Sequence, residues 1–184
     1  MGGIASKAQL RMSFLRWAVV TVPLILLLGL LSARSEPVGA ANPWYQGLAK
    51  PGFTPPDAAF PLIWIAVYVG IGLALAMILH ARGARGRGLA VGLFALQFAL
   101  HLIWPLLFFG AHNLSGALID LVAALLIAVA TAALFARIRT VAALLMLPYI
   151  VWLGVIGALT WRIAQLNPQQ ESLVPGAHTS QVIN

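Results

Sequence analysis

The sequence has no cysteine, and only 4 of its 184 residues are acidic. Without thiols there are no disulfides, no thiolate nucleophile and no zinc–thiolate site. The carboxylates of Glu36, Asp57, Asp120 and Glu171 are scattered and form no pair for acid–base work. His80, His101, His112 and His178 have no metal-ligand spacing, and no glycine-rich phosphate loop is present. Enzymatic chemistry therefore has no motif behind it. Charged residues make up 8% of the chain, against about a quarter in soluble domains. So little charge cannot cover a folded surface in water, and the chain needs a bilayer as its solvent.

What is abundant is apolar: 61% of residues are hydrophobic and the mean hydropathy is +0.96. A helix crossing hydrocarbon needs about 20 mainly apolar residues. Five segments qualify, approximately Trp17–Ala33, Ala58–His80, Gly88–Phe109, Leu114–Ala136 and Val141–Trp161. The second, third and fifth contain no Asp, Glu, Lys or Arg. The expected class is all-α, a five-transmembrane-helix bundle occupying 14–167. A short segment, 1–13, precedes it, and a polar tail, 168–184, follows and is expected to be flexible. Lys7, Arg11 and Arg16 ahead of the first run also fit a signal peptide, with Val38-Gly39-Ala40 as small residues for cleavage. The length of the run and the second span close behind it favour a retained helix. Short connections after the first loop predict that consecutive helices pack side by side.

The net charge of +7 does not point to nucleic acid, because the cations cluster at the ends of apolar runs as helix anchors. Lys7, Arg11, Arg16, Arg82, Arg85, Arg87, Arg137 and Arg139 fall on one side of the spans; Arg34, Lys50 and Arg162 fall on the other. The positive-inside bias puts the N-terminus inside and the 34–57 loop outside.

The third span separates into two stripes. Gly88, Gly92, Ala95 and Ala99 share one helix face, and Gln97, His101, Trp104 and Phe108 share the opposite one. Small residues at this spacing let helices approach closely, either as a homodimer seam or as packing within one chain. Gln and His are costly in a membrane unless they meet partners, so the second stripe should face the bundle interior. It is either a hydrogen-bonded clamp between helices or a ligand-facing wall, with His101 also a candidate haem ligand. Trp64 and Tyr68, and Tyr149 and Trp152, pair on the second and fifth spans. With Gln97, His101 and Trp104 they would line a large, flat-walled, mostly apolar cavity suited to a planar hydrophobic ligand. Asp120, the one carboxylate inside a span, is expected to bond a neighbouring Trp, Tyr or His, with a proton site as the alternative. In the first loop, Pro51, Pro55 and Pro56 stiffen a stretch expected to be non-helical. Trp44, Tyr45 and Phe53 would fold down as a lid, and Lys50 would stand at the rim. Anchoring at the lipid headgroups is the plainer alternative for this loop.

Four blocks, WYQGLAKPGFTPP at 44–56, FPLIWIAVY at 60–68, ALQFALHLIWPLLFFG at 95–110 and PYIVW at 148–152, with GALIDL at 116–121 as a weaker fifth, resemble the TspO/MBR family of tryptophan-rich sensory proteins and translocator proteins. The resemblance covers roughly residues 40–167. It implies a commonly dimeric five-helix bundle that binds tetrapyrroles such as porphyrin or haem, with a transport or sensory role. It needs no cofactor. Light-dependent porphyrin degradation, and sterol or small-solute transport, are the alternatives it leaves. By position, Trp44, Tyr45, Lys50, Pro51, Pro55 and Pro56 match the family's loop motif. Trp64, Tyr68, Gln97, Trp104, Tyr149 and Trp152 match its pocket lining, and Trp64 and Trp152 match the tryptophans tied to porphyrin breakdown. His101 departs from the family's usual Asn. Thr160 and Trp161 replace an Asn-Tyr pair of the animal members, which weakens the case for sterol.

Overall fold

Hydrocarbon offers no water to a peptide group, so each apolar run must satisfy its own backbone, which a helix does. The computed structural model describes residues 7–169, with side chains from residue 12 onward. Within them lie α1 (Lys7–Arg34), a short α2 (Pro43–Gly47), α3 (Ala59–His80), α4 (Arg87–Pro105), α5 (Leu114–Ile138) and α6 (Thr140–Leu166). All but α2 are long and apolar enough to cross a membrane. No strand occurs among the described residues. The tail 170–184 lies outside them. α1 begins at Lys7, ten residues before the expected apolar start and across the expected boundary at residue 13. Good helix formers in KAQLRM carry it past the apolar run.

Packing does not follow chain order. α1 lies along α3, α3 also packs on α6, α6 on α5, and α5 on α4. Contrary to the expectation from short turns, the backbones of α3 and α4 come close at few points although residues 81–86 join them. The small residues decide this order. Thr21 Oγ of α1 donates to Gly72 O of α3 at 2.8 Å, and a Cβ on Gly72 would stand 2.9 Å from Val22 Cα. The two backbones therefore meet where a side chain is missing. A side chain at Gly29 would run into the Tyr68 ring, so α1 also backs the interior of α3. On α5, Ala117, Leu121, Ala124, Ala128, Thr131 and Phe135 are all buried at 4-3-4-3-4 spacing, one inward face. Large apolar side chains such as Leu62, Ile119 and Leu126 point outward, being 65–72% exposed. That is how a lipid-facing surface differs from a soluble one.

The small-residue stripe of α4 faces outward as well. Gly88, Gly92, Ala95 and Ala99 are all exposed, and nothing lies within 4 Å of a Cβ built on Gly88 or Gly92. Among the described residues, none packs onto Gly88 or Gly92.

Gly72→Val should force α1 and α3 apart and cost about 1–3 kcal/mol, read as a lower thermal midpoint in detergent. Gly154→Ala, where the added methyl meets nothing within 4 Å, should leave the midpoint unchanged or raise it.

Candidate functional site

The first loop is built around two asparagines. Asn42 is 4% exposed. Its Oδ1 accepts from Tyr45 N at 3.0 Å, and its Nδ2 donates to Pro37 O at 2.8 Å and Phe109 O at 3.2 Å. It thus caps α2, where Pro43 fits the first helical turn. Trp44 and Tyr45 therefore sit on a helical turn, in a loop that was expected to be non-helical. At the far side, Asn167 closes α6. Its Oδ1 accepts from Ala49 N at 2.9 Å, while its Nδ2 donates to Ala49 O at 2.9 Å and Ile163 O at 2.8 Å. The paired bonds to Ala49 resemble a strand ladder made by one side chain, and they latch the loop onto the end of the last helix.

Beneath the loop, α4 ends in a π-helical turn over Leu106–Gly110, just after Pro105. Ala111 N donates to Leu106 O at 2.7 Å across five residues. The widened turn buries both Phe108 and Phe109. Tyr45 meets the two edge-on, at 6.1 and 5.5 Å between ring centroids. Trp44 stacks on His112 at 4.3 Å, and His112 is held at φ 52°. Lys50 Nζ lies 4.4 Å over the Tyr45 ring and donates to Leu48 O at 3.3 Å, so its charge stands at the rim of the cover. Phe53 was expected in the cover. It is 54% exposed and points away, because the turn at Pro51–Thr54 closes on itself through Thr54 N and Oγ to Pro51 O.

Deeper in, Tyr68 Oη and His101 Nε2 share a hydrogen bond of 2.8 Å. The His101 ring is surrounded by Trp64 at 4.6 Å, Phe98 at 5.8 Å and Tyr149 at 5.9 Å. Trp64 stacks on Tyr68 at 5.4 Å and meets Trp152 edge-on at 6.0 Å. Phe60 covers Trp152 at 5.7 Å, and Trp104 stacks on Phe108 at 5.2 Å. Gln97 is fully buried on the same face of α4. The structure therefore brings the sequence-derived residues of α3, α4 and α6 into one interior cluster beneath the loop.

Toward the loop the rings leave a cavity of about 20 Å³ between Tyr45, Phe60, Trp104, Phe109, Ile156 and Thr160, little more than one water where a large cavity was expected. The polar atoms among those rings are buried without a hydrogen-bond partner: both amide atoms of Gln97, His101 Nδ1, Trp104 Nε1, Tyr149 Oη and Trp152 Nε1. Asp120 Oδ2 is in the same position, so the expected bond from Asp120 to a neighbour is not made through that oxygen. Sequence reasoning missed Asn42, Phe60, Phe109, His112 and Asn167. Asn42 before Pro43 carried a legible capping signal, but nothing in the sequence announced that Asn167 reaches Ala49.

Asn167→Ala removes both bonds to Ala49, each of about 1 kcal/mol. Amide exchange across residues 43–50 should accelerate by roughly tenfold or more in hydrogen-exchange mass spectrometry, while exchange in the middle of α5 stays unchanged.

A model of the TspO/MBR family matches residues 19–166, a span that takes in most of α1 as well as the loop and the aromatic cluster. The tryptophan-rich protein TspO of Chlorobaculum tepidum is 36% identical over 129 residues, which is 70% of this chain and 82% of that protein. The translocator protein of Sus scrofa is 38% identical over 135 residues, 72% of this chain and 79% of that protein. Protein CrtK of Rhodobacter capsulatus is 32% identical over 131 residues, 71% of this chain and 82% of that protein. With five helices able to span a bilayer and a family match over most of its length, this chain is an integral multi-pass membrane protein and belongs to the TspO/MBR family.

Proposed function

We propose that the aromatic cluster beneath the loop is a binding site for a planar tetrapyrrole, porphyrin or haem, and that the protein carries or senses this ligand in the membrane. One observation carries the reading: Gln97, His101, Trp104, Tyr149 and Trp152 hold polar atoms buried among ring faces with no partner. An unpaired buried polar atom costs about 1–3 kcal/mol, and several at one place favour a ligand that supplies the missing bonds. A tetrapyrrole offers flat faces to Trp64, Trp104 and Trp152, ring nitrogens to the inner polar atoms, and carboxylates to Lys50 at the rim. Relatives named as sensory and translocator proteins support the carrying or sensing role. Because the rings leave so little space, entry requires the cover of Tyr45 and Phe60 to lift, so binding is coupled to opening. The edge-to-face pair of Trp64 and Trp152 favours light-dependent porphyrin breakdown as the second reading.

Titrating protoporphyrin IX should quench tryptophan fluorescence saturably, and Trp64→Phe with Trp152→Phe should weaken affinity by about tenfold. Unchanged affinity in that double variant overturns the site. Illuminating the bound porphyrin separates the second reading, which fails if products form no faster than from free porphyrin. With ferric haem, His101→Ala should shift the Soret band if the imidazole ligates iron, either through the unpartnered Nδ1 or through Nε2 once it leaves Tyr68; identical spectra exclude it.

The outward stripe of Gly88, Gly92, Ala95 and Ala99 supports a homodimer joined through α4, since small exposed residues let two helices meet closely. Gly92→Leu should convert the cross-linked dimer in detergent to monomer without lowering the thermal midpoint of the monomer.

A further inference from the structure

The tetrapyrrole reading uses one end of the bundle and leaves the other unexplained. At that other end the sequence ARGARGRG, 81–88, turns from α3 into α4. Gly83 and Gly86 take φ values of 79° and 78°, which L side chains rarely adopt, so the turn depends on glycine. The backbones of α3 and α4 come close at few points, and at this end a cleft of about 500 Å³ lies between them, lined by Leu79, Gly83, Ala84, Arg87, Gly88 and Val91. That is within the size range of small-molecule sites.

The chemistry of the cleft is one-sided. Arg87 Nε is buried there without a hydrogen-bond partner, and Arg82 and Arg85 flank it in the turn. No protein carboxylate stands at this end among the described residues: Glu36 and Asp57 belong to the opposite loop, and Asp120 lies in the half of α5 nearer that loop. The start of α4 has no side-chain cap and no acid in its first turn. The cleft thus offers a guanidinium fork and a bare helix start, both of which favour an anion, beside apolar walls from Leu79 and Val91.

We propose that this cleft binds the phosphodiester headgroup of an anionic phospholipid from the adjoining leaflet. The phosphate sits on Arg87, and an acyl chain leaves past Leu79 and Val91 into the bilayer. Basic clefts between membrane helices bind anionic headgroups in this manner. A zwitterionic headgroup brings its own cation against Arg82 and Arg85, and a free phosphate makes no use of the apolar walls.

The test is native mass spectrometry of the delipidated full chain in neutral detergent, with phosphatidylglycerol or phosphatidylcholine of matched chain length. Phosphatidylglycerol should be retained about fivefold better, and Arg87→Gln should reduce it to the phosphatidylcholine level. Val91→Trp, which fills the cleft without changing charge, should do the same and serves if Arg87→Gln fails to fold. Arg137→Gln, a cation of the same end but outside the cleft, should keep the preference. Equal retention of both lipids by the wild type overturns the proposal, as does a preference that survives in the cleft variants or is lost equally in Arg137→Gln. Displacement of phosphatidylglycerol by millimolar inorganic phosphate marks a free-anion site and overturns the lipid assignment.

Discussion

The structure depends on one constraint: in hydrocarbon and in a packed interior alike, a polar group without a partner is expensive. The helices meet that constraint for the backbone. The few polar side chains inside meet it only where they serve the architecture. Thr21 bridges α1 to Gly72 of α3, and Ser32 donates to Leu102 O of α4 at 2.6 Å. Asn42 and Asn167 spend every polar atom on backbone groups of the loop and its neighbours. Against that economy the unpaired atoms of Gln97, Trp104, Tyr149 and Trp152 stand out. They are concentrated between ring faces rather than spread through the bundle, which is why they support a ligand site more than a packing role.

The loop and the interior cluster act as one unit. α2 lowers Tyr45 onto Phe108 and Phe109, which are presented by the π-helical turn at the end of α4. The Asn167 latch then fixes the other end of the loop to α6, the helix that carries Tyr149 and Trp152. The latch thereby ties the loop to the helix that carries part of the aromatic cluster. The rings beneath the loop leave only about 20 Å³ next to Tyr45, Phe60 and Trp104, so any molecule larger than a water that enters there bears the cost of parting them.

The two ends of the bundle differ in chemistry. The loop end carries Asn42, the aromatic cover and the acids Glu36 and Asp57; the other end carries arginines and no acid among the described residues. The backbone of α3 lies closest to α1 and α6, and meets α4 chiefly through the Tyr68–His101 bond and the rings around it. The cleft at Arg87 lies between the ends of α3 and α4, lined in part by Gly88 of the outward stripe.

Much was legible in the sequence. The scarcity of charge and the length of the apolar runs pointed to five helices, because a run of about 20 apolar residues satisfies its own backbone in lipid as a helix. The 4-3-4 spacing placed Gln97, His101 and Trp104 on one face and the glycines and alanines on the other, since helical periodicity is local. The family resemblance rested on the same aromatic blocks. What lay beyond the sequence was everything fixed by contacts between distant segments. The order of helices around the bundle, the outward aim of the small stripe and the latch from Asn167 to Ala49 each depend on residues tens of positions apart. The size of the cavity was equally out of reach. Residue types name the walls of a site, but only the packing of whole side chains against each other decides how much space the walls leave.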